Sequence, residues 1–134
     1  MRLSRLSGVP RLAWFLTAAL GLAVIAASTV VAQSRRDVSV TGRKYAYVVE
    51  GGAAEIRVQK DDLVNVVFTV SDIAHSFTIS DDHYRIDHRA EPGKPTAFRF
   101  RADKAGVFEI RCTLTIDDRC QREMRGKLIV VEKH

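Results

Sequence analysis

Two hydrophobic patterns divide the chain. Residues 12–32 form a run of 21 residues without a charge, apolar on every side. Beyond residue 37, apolar and polar residues alternate with a period of two in several short segments, which is the pattern of half-buried β-strands. The sequence therefore predicts one N-terminal hydrophobic helix followed by an all-β domain.

The alternation predicts about eight short strands separated by turn residues, with no convincing amphipathic helix. Many closely spaced strands are typical of a β-sandwich or small barrel with Greek-key connections. We expect this fold for a single domain over residues 37–134. The clearest strand segments are residues 55–59, 64–70, 75–79, 98–101, 107–112 and 127–131.

The N-terminal run is long enough to cross a bilayer as a helix. Arg2, Arg5 and Arg11 precede it, which favours export of the chain that follows. Residues 1–32 are therefore a signal peptide, cut after Ala32, or an uncleaved membrane anchor over residues 12–32. Both alternatives place the domain outside the cytoplasm, either in the periplasm or on the outer face of the cytoplasmic membrane. Disulfides are permitted there.

Charge argues against nucleic acid as a partner. The formal net charge of the whole chain is +5, with 21 basic and 16 acidic residues. Removing the three leader arginines leaves 18 basic residues and a balance of 18 − 16 = +2. A nucleic-acid-binding domain of this size usually has a larger basic excess.

The period-two pattern also predicts a site. Cys112 shares the parity of Phe108 and Ile110, so its sulfur is expected to point inward at the end of a strand. His75 shares the parity of Phe77 and is expected to point inward at the start of another strand. The two side chains can then meet at one end of the sandwich.

A loop over residues 113–125 adds Cys120 and Met124. One imidazole, two thiolates and one thioether are soft or borderline ligands, and they suit copper better than calcium or magnesium. Each residue also has a purely structural interpretation. His75 can be a hydrogen-bonded core histidine, Cys112 a small buried hydrophobe, and Met124 a core side chain that fills a gap. Cys120 can equally be the disulfide partner of Cys112.

Three segments carry a resemblance to a known family. They read SDIAHSF over residues 71–77, ADKAGVF over residues 102–108 ahead of Cys112, and MRGKLIV over residues 124–130. Residues 38–131 resemble the copper-binding domain of cytochrome c oxidase subunit II, which nitrous-oxide reductase shares. Both are cupredoxins.

The resemblance implies a cupredoxin-like Greek-key β-sandwich with an electron-transfer function. It implies that His75, Cys112 and Met124 are copper ligands, and that the partner is a redox protein or an oxidase. The binuclear pattern of the family is Cys-x3-Cys-x3-His-x2-Met, whereas this chain has Ile116 at the second Cys position and Cys120 at the His position. One copper ion is therefore expected rather than two, held by His75, Cys112, Cys120 and Met124.

Two further functions stay open. A site with two thiolates favours Cu(I), so the domain can be a copper store or chaperone. Alternatively, a Cys112–Cys120 disulfide makes it a metal-free structural or interaction domain, and oxidation can interconvert the two forms. No second catalytic centre is visible in the sequence, so an enzyme acting alone is not expected.

Overall fold

The computed structural model describes residues 34–133, which fold into two β-sheets. The predicted N-terminal helix lies outside these residues, and so do the leader and anchor assignments. Within residues 34–133, no helix is both long enough and apolar enough to cross a bilayer.

Nine strands and one short helix make up the described part of the chain, where the alternation predicts about eight strands. The elements are β1 (Arg35–Arg43), β2 (Ala46–Val49), β3 (Glu55–Gln59), β4 (Leu63–Val70), β5 (His75–Ser80), β6 (Arg85–Ala90), β7 (Thr96–Arg101), β8 (Gly106–Arg111), α1 (Asp118–Glu123) and β9 (Arg125–Val131).

The chain passes repeatedly between the two sheets. One sheet has the strand order β2-β1-β4-β7, and the other has β3-β9-β8-β5-β6. The pairs β1–β4 and β3–β9 are parallel, and the other pairs are antiparallel. The predicted all-β sandwich is confirmed.

Alternation of side chains builds the core between the sheets. In β4 the inward residues Val64, Val66, Phe68 and Val70 are at most 2% exposed, while Val67 on the outer face is 45% exposed. Phe77 of the opposite sheet packs against Phe68, with ring centroids 5.9 Å apart. Burying these apolar side chains is the main favourable contribution to folding.

Strand β5, which lies between β8 and β6, does not follow the alternation. Ser76 and Thr78 face away from the core, yet they are only 1% and 6% exposed. Their hydroxyls bond to each other, to Thr113 and to Asp87, so their burial leaves no hydroxyl without a partner. The polar cluster ties β5 to the segment that follows β8.

Gly42 allows β1 to pass close to two buried side chains. A Cβ atom at this position would lie 3.0 Å from Phe68 Cε1 and 3.2 Å from Met124 Cε, and both side chains are fully buried. We expect Gly42→Ala to lower the free energy of unfolding by about 1–3 kcal/mol, because overpacking strains a filled core. Chemical denaturation measures this change.

Gly52→Ala is the matched control. Its added Cβ would meet only the Val49 carbonyl oxygen, at 3.6 Å, which is an ordinary contact. Equal losses of stability in the two variants would contradict the packing argument for Gly42.

Candidate metal centre

Three potential ligands from separate elements gather at one end of the sandwich. His75 begins β5, Cys112 directly follows β8, and Cys120 lies in α1. Their ligand atoms all lie within 4.8 Å of one another, and none of the three residues is more than 1% exposed. The structure thus brings His75 and Cys112 together as strand parity predicts. Their assignment as metal ligands stays a prediction.

The two sulfurs are joined. Cys112 and Cys120 form a disulfide that closes a sequence separation of 8 residues, and their Cα atoms are 5.5 Å apart. Of the alternatives that the sequence left open for Cys120, the structure therefore shows the disulfide. In this form neither sulfur is a thiolate.

Asp72 orients the imidazole of His75. The His75 Nε2 atom lies 2.8 Å from Asp72 Oδ1, and Nδ1 lies 3.4 Å from Cys120 Sγ. A carboxylate can only accept, so Nε2–H donates to Asp72 and the lone pair of a neutral ring sits on Nδ1. That lone pair is directed at the sulfurs.

The Asp72 carboxylate is itself held by backbone donors. The amides of Lys44 and Ile73 donate to it, at 2.6 and 2.7 Å. Burial pushes the pKa of Asp72 upward, but these bonds and the bond to His75 outweigh it and hold the pKa below its usual value. Asp72 is therefore an anion at neutral pH, which suits an acceptor for Nε2–H.

Cys112 also has a fixed environment. The amide of Ser76 donates to Cys112 Sγ at 3.5 Å, and Ser76 Oγ accepts a bond from the Thr113 amide at 2.8 Å. Because Ser76 and Thr113 follow His75 and Cys112 directly, these bonds hold the two strand ends side by side.

Met124 ends α1 and is fully buried. Its amide donates to the carbonyl of Cys120 at 3.3 Å, which fixes it one turn after that cysteine. Its methyl group lies beside Gly42, in the core between the sheets. Its predicted role as an axial ligand stays a prediction.

Sequence reasoning missed the turn between β1 and β2. Tyr45 in this turn donates through its hydroxyl to Asp117, the N-cap of α1, and the Arg119 guanidinium lies 4.2 Å from the centroid of its ring. Lys44 beside it binds Asp72. One turn thus supports both the His75 side and the Cys120 side of the site. Nothing in the sequence near Tyr45 signals this contact.

Tyr45→Phe is expected to lower stability at neutral pH and to lose that effect in acid. The Tyr45 hydroxyl is the largest cause that lowers the pKa of Asp117, followed by the Arg119 amide. A depressed carboxyl pKa contributes stability above the unfolded value, and this contribution is lost as the pH falls through the folded value. Urea unfolding of both proteins at a series of pH values measures the difference. A difference that is constant down to strongly acid pH would contradict the Asp117 contact.

No protein-family model and no curated protein sequence matches the chain. Solved structures do. A chain of a heme-copper terminal oxidase dimer is 25% identical with a TM-score of 0.64, over 74% of this chain and 65% of that chain. This chain thus spans less than two thirds of the oxidase chain.

Two subunit II structures are also similar. The periplasmic domain of subunit II of cytochrome oxidase from Bradyrhizobium japonicum is 21% identical with a TM-score of 0.60, covering 73% of this chain and 85% of its own. Subunit II of cytochrome c oxidase in a mixed disulfide with a thioredoxin-like protein is 20% identical with a TM-score of 0.59, covering 79% and 88%.

The sandwich and these matches define the fold class: the described domain has a cupredoxin-like fold. Within that class it resembles the copper-binding domain of cytochrome c oxidase subunit II, as the three sequence segments imply.

Proposed function

We propose that this chain is an extracytoplasmic copper-binding domain of the electron-transfer type, related to cytochrome c oxidase subunit II. The observation that carries the proposal is the convergence of one imidazole nitrogen and two sulfurs within 4.8 Å at one end of a cupredoxin-like fold. Its periplasmic subunit II neighbour and the predicted leader support a location outside the cytoplasm.

The imidazole and the two sulfurs fit copper once the disulfide is reduced to two thiols. Imidazole and thiolate are ligands that copper prefers. Nitrogen and sulfur ligands lie about 2.0–2.3 Å from a comparable ion, so two that share one ion are about 3–4 Å apart. The distance of 3.4 Å from His75 Nδ1 to Cys120 Sγ meets this condition. In the disulfide form the sulfurs lack the negative charge that binds the metal, so binding requires reduction first.

The proposal is for one ion rather than two. A binuclear centre of the subunit II kind needs a second thiolate four residues after Cys112, and Ile116 stands there with 62% of its surface exposed. In this proposal Cys112 would hold the ion as the principal thiolate, His75 as the imidazole, Cys120 as the second sulfur and Met124 as a weak thioether ligand. Bound copper would supply a one-electron redox couple.

The protein's own residues prepare that site. Asp72 keeps the imidazole lone pair directed inward, the Ser76 amide supports the Cys112 sulfur, and the burial of all four proposed ligands excludes water. Close packing around the four residues would keep them in nearly the same positions in both oxidation states of a bound copper ion.

We propose a thiol reductant of the thioredoxin-like class as one redox partner. A subunit II structure trapped in a mixed disulfide with such a protein supports this. A dithiol partner would give two electrons and two protons to Cys112–Cys120. The products would be two cysteine thiols here and a disulfide in the partner.

A second candidate function follows from the disulfide itself. A permanent Cys112–Cys120 bond would leave a metal-free structural domain in which His75 is a buried polar residue bonded to Asp72. Free-thiol counts and copper titration of the same preparation separate the two functions.

The experiment uses the reduced protein, with two titratable thiols, and adds Cu(I) and Cu(II) in turn. The electron-transfer function predicts binding of one ion and an intense visible thiolate-to-copper band that Cys112→Ser abolishes. Tight Cu(I) binding without that band would indicate storage or delivery instead. No binding after complete reduction would leave only the structural function.

A further inference from the structure

A groove opens between β6 and β7, away from the metal centre. These are the edge strands of the two sheets, since β6 pairs only with β5 and β7 only with β4 among the described strands. The groove has a volume of about 390 Å³. It includes Arg85, which pairs with Ser80 at the end of the β5–β6 hairpin opposite His75.

Positive charge dominates this groove. Arg85, Arg99 and Arg101 line it and are exposed, and the ion pairs found within residues 34–133 do not include them. The one carboxylate in the lining, Asp103, is already bonded to His83 Nε2. Three guanidinium groups and one carboxylate thus line the groove.

Three acids near the groove, Glu91, Asp87 and Asp81, are held by other groups. Glu91 pairs with Arg89, and Asp87 accepts from the Thr78 hydroxyl. Asp81 accepts from the amides of His83 and Tyr84 and lies 3.8 Å from Lys104 Nζ. The groove lining itself, with three arginines and one aspartate, therefore carries more positive than negative charge, which favours a negatively charged ligand.

Apolar side chains and a free strand edge line the groove, which suits an extended peptide. Phe98 and Phe100 are half-buried between the two edges and offer apolar contact. His88 stacks on Phe98 with ring centroids 4.1 Å apart, so one face of that ring is already covered and unavailable to a nucleobase. A free strand edge presents backbone N–H and C=O groups to which another strand can add.

We propose that this groove binds an extended acidic segment of a partner protein, which pairs with the free edge of β7 and places its carboxylates beside Arg85, Arg99 and Arg101. This binding surface is separate from the proposed copper site and does not depend on it.

The test uses a peptide of alternating Glu and Val as the probe, added to isotope-labelled protein, with a Lys-Val peptide as the comparison. Only the acidic peptide is expected to bind, and amide shifts should change along β6 and β7. The double variant Arg99→Glu/Arg101→Glu is expected to weaken binding by about tenfold or more, because charge reversal replaces attraction by repulsion.

Arg57→Glu/Lys127→Glu is the matched control. It reverses the same amount of charge at exposed positions of β3 and β9, and it should leave the affinity within about twofold. Arg85→Glu, on the β6 side of the groove, is a second variant. If the double variant fails to fold, the peptide affinity of Arg85→Glu tests the proposal by itself.

The proposal would be overturned if amide shifts changed only on another surface. Equal losses of peptide affinity in the groove variants and in the control would also overturn it. Tighter binding of a single-stranded oligonucleotide or of phosphatidylglycerol vesicles, lost in the same groove variants, would assign the surface to those partners instead.

Discussion

Loss of the Cys112–Cys120 disulfide is expected to lower the free energy of unfolding by about 2–3 kcal/mol. The bond closes a separation of 8 residues, and the chain-entropy estimate for a loop of this length falls in that range. For a domain of about 100 residues, this corresponds to a fall in Tm of roughly 10–20 °C. Calorimetry of the protein before and after reduction measures the change.

The double variant Cys112→Ala/Cys120→Ala separates the bond from the reducing agent. Its Tm is expected to match that of the reduced protein and to be insensitive to reductant. If the oxidised protein and the double variant unfold at the same temperature, the disulfide does not contribute as argued. A fall in Tm that reductant produces in the double variant as well would show that the reductant acts elsewhere.

Copper and the disulfide compete for the same two sulfurs under the proposed function. Reduction would therefore remove stability that metal binding can restore, since a ligand that binds only the folded state raises its stability. A reduced protein whose Tm recovers on adding Cu(I) would support the copper proposal. A reduced protein whose Tm does not respond would support the structural function.

The strands were predictable because their signal is local. The segment 55–59 alternates strictly and matches β3 residue for residue, and the predicted inward parity of His75 holds in β5. Parity also predicted that Cys112, 37 positions further along the chain, points inward and can meet that histidine. A period of two carries this information over any separation, because it fixes which face a residue occupies.

The helix α1 was missed because it is only six residues long, too short to show a helical period. Its signals are the Asp117 N-cap and the pairs Asp118–Arg122 and Arg119–Glu123, each spaced at i, i+4. Such pairs are weak on a surface, and a six-residue window contains them often by chance. Tertiary contacts, including the Tyr45 ring, determine that this segment is helical.

The state of the two cysteines could not be derived from the sequence. A spacing of eight residues allows a disulfide and also allows two ligands of one ion, so the pattern is the same for both. The same holds for Asp72, whose acid side chain in a turn gives no sign that it binds His75. The Asp72–His75 contact depends on the Lys44 amide, which the turn between β1 and β2 brings to the Asp72 carboxylate.

The second large effect is expected for Asp72→Asn in the reduced protein. The carboxylate of Asp72 accepts the His75 Nε2–H bond at 2.8 Å and so directs the Nδ1 lone pair at the sulfurs. An asparagine amide can donate as well as accept, so it no longer enforces that tautomer. Loss of an outer-shell partner of a metal-bound histidine typically costs 10–100-fold in affinity, and we expect a loss of about this size for Cu(I).

Competition with a Cu(I) chelator measures the affinity, and Asp103→Asn is the matched control. Asp103 makes the same kind of contact with His83 Nε2, but both side chains are exposed and lie outside the His75, Cys112 and Cys120 group. The control should bind copper as the parent protein does. If both variants keep the parent affinity while both thiols remain titratable, the Asp72–His75 bond does not set the copper affinity, and the orienting role argued for Asp72 is wrong.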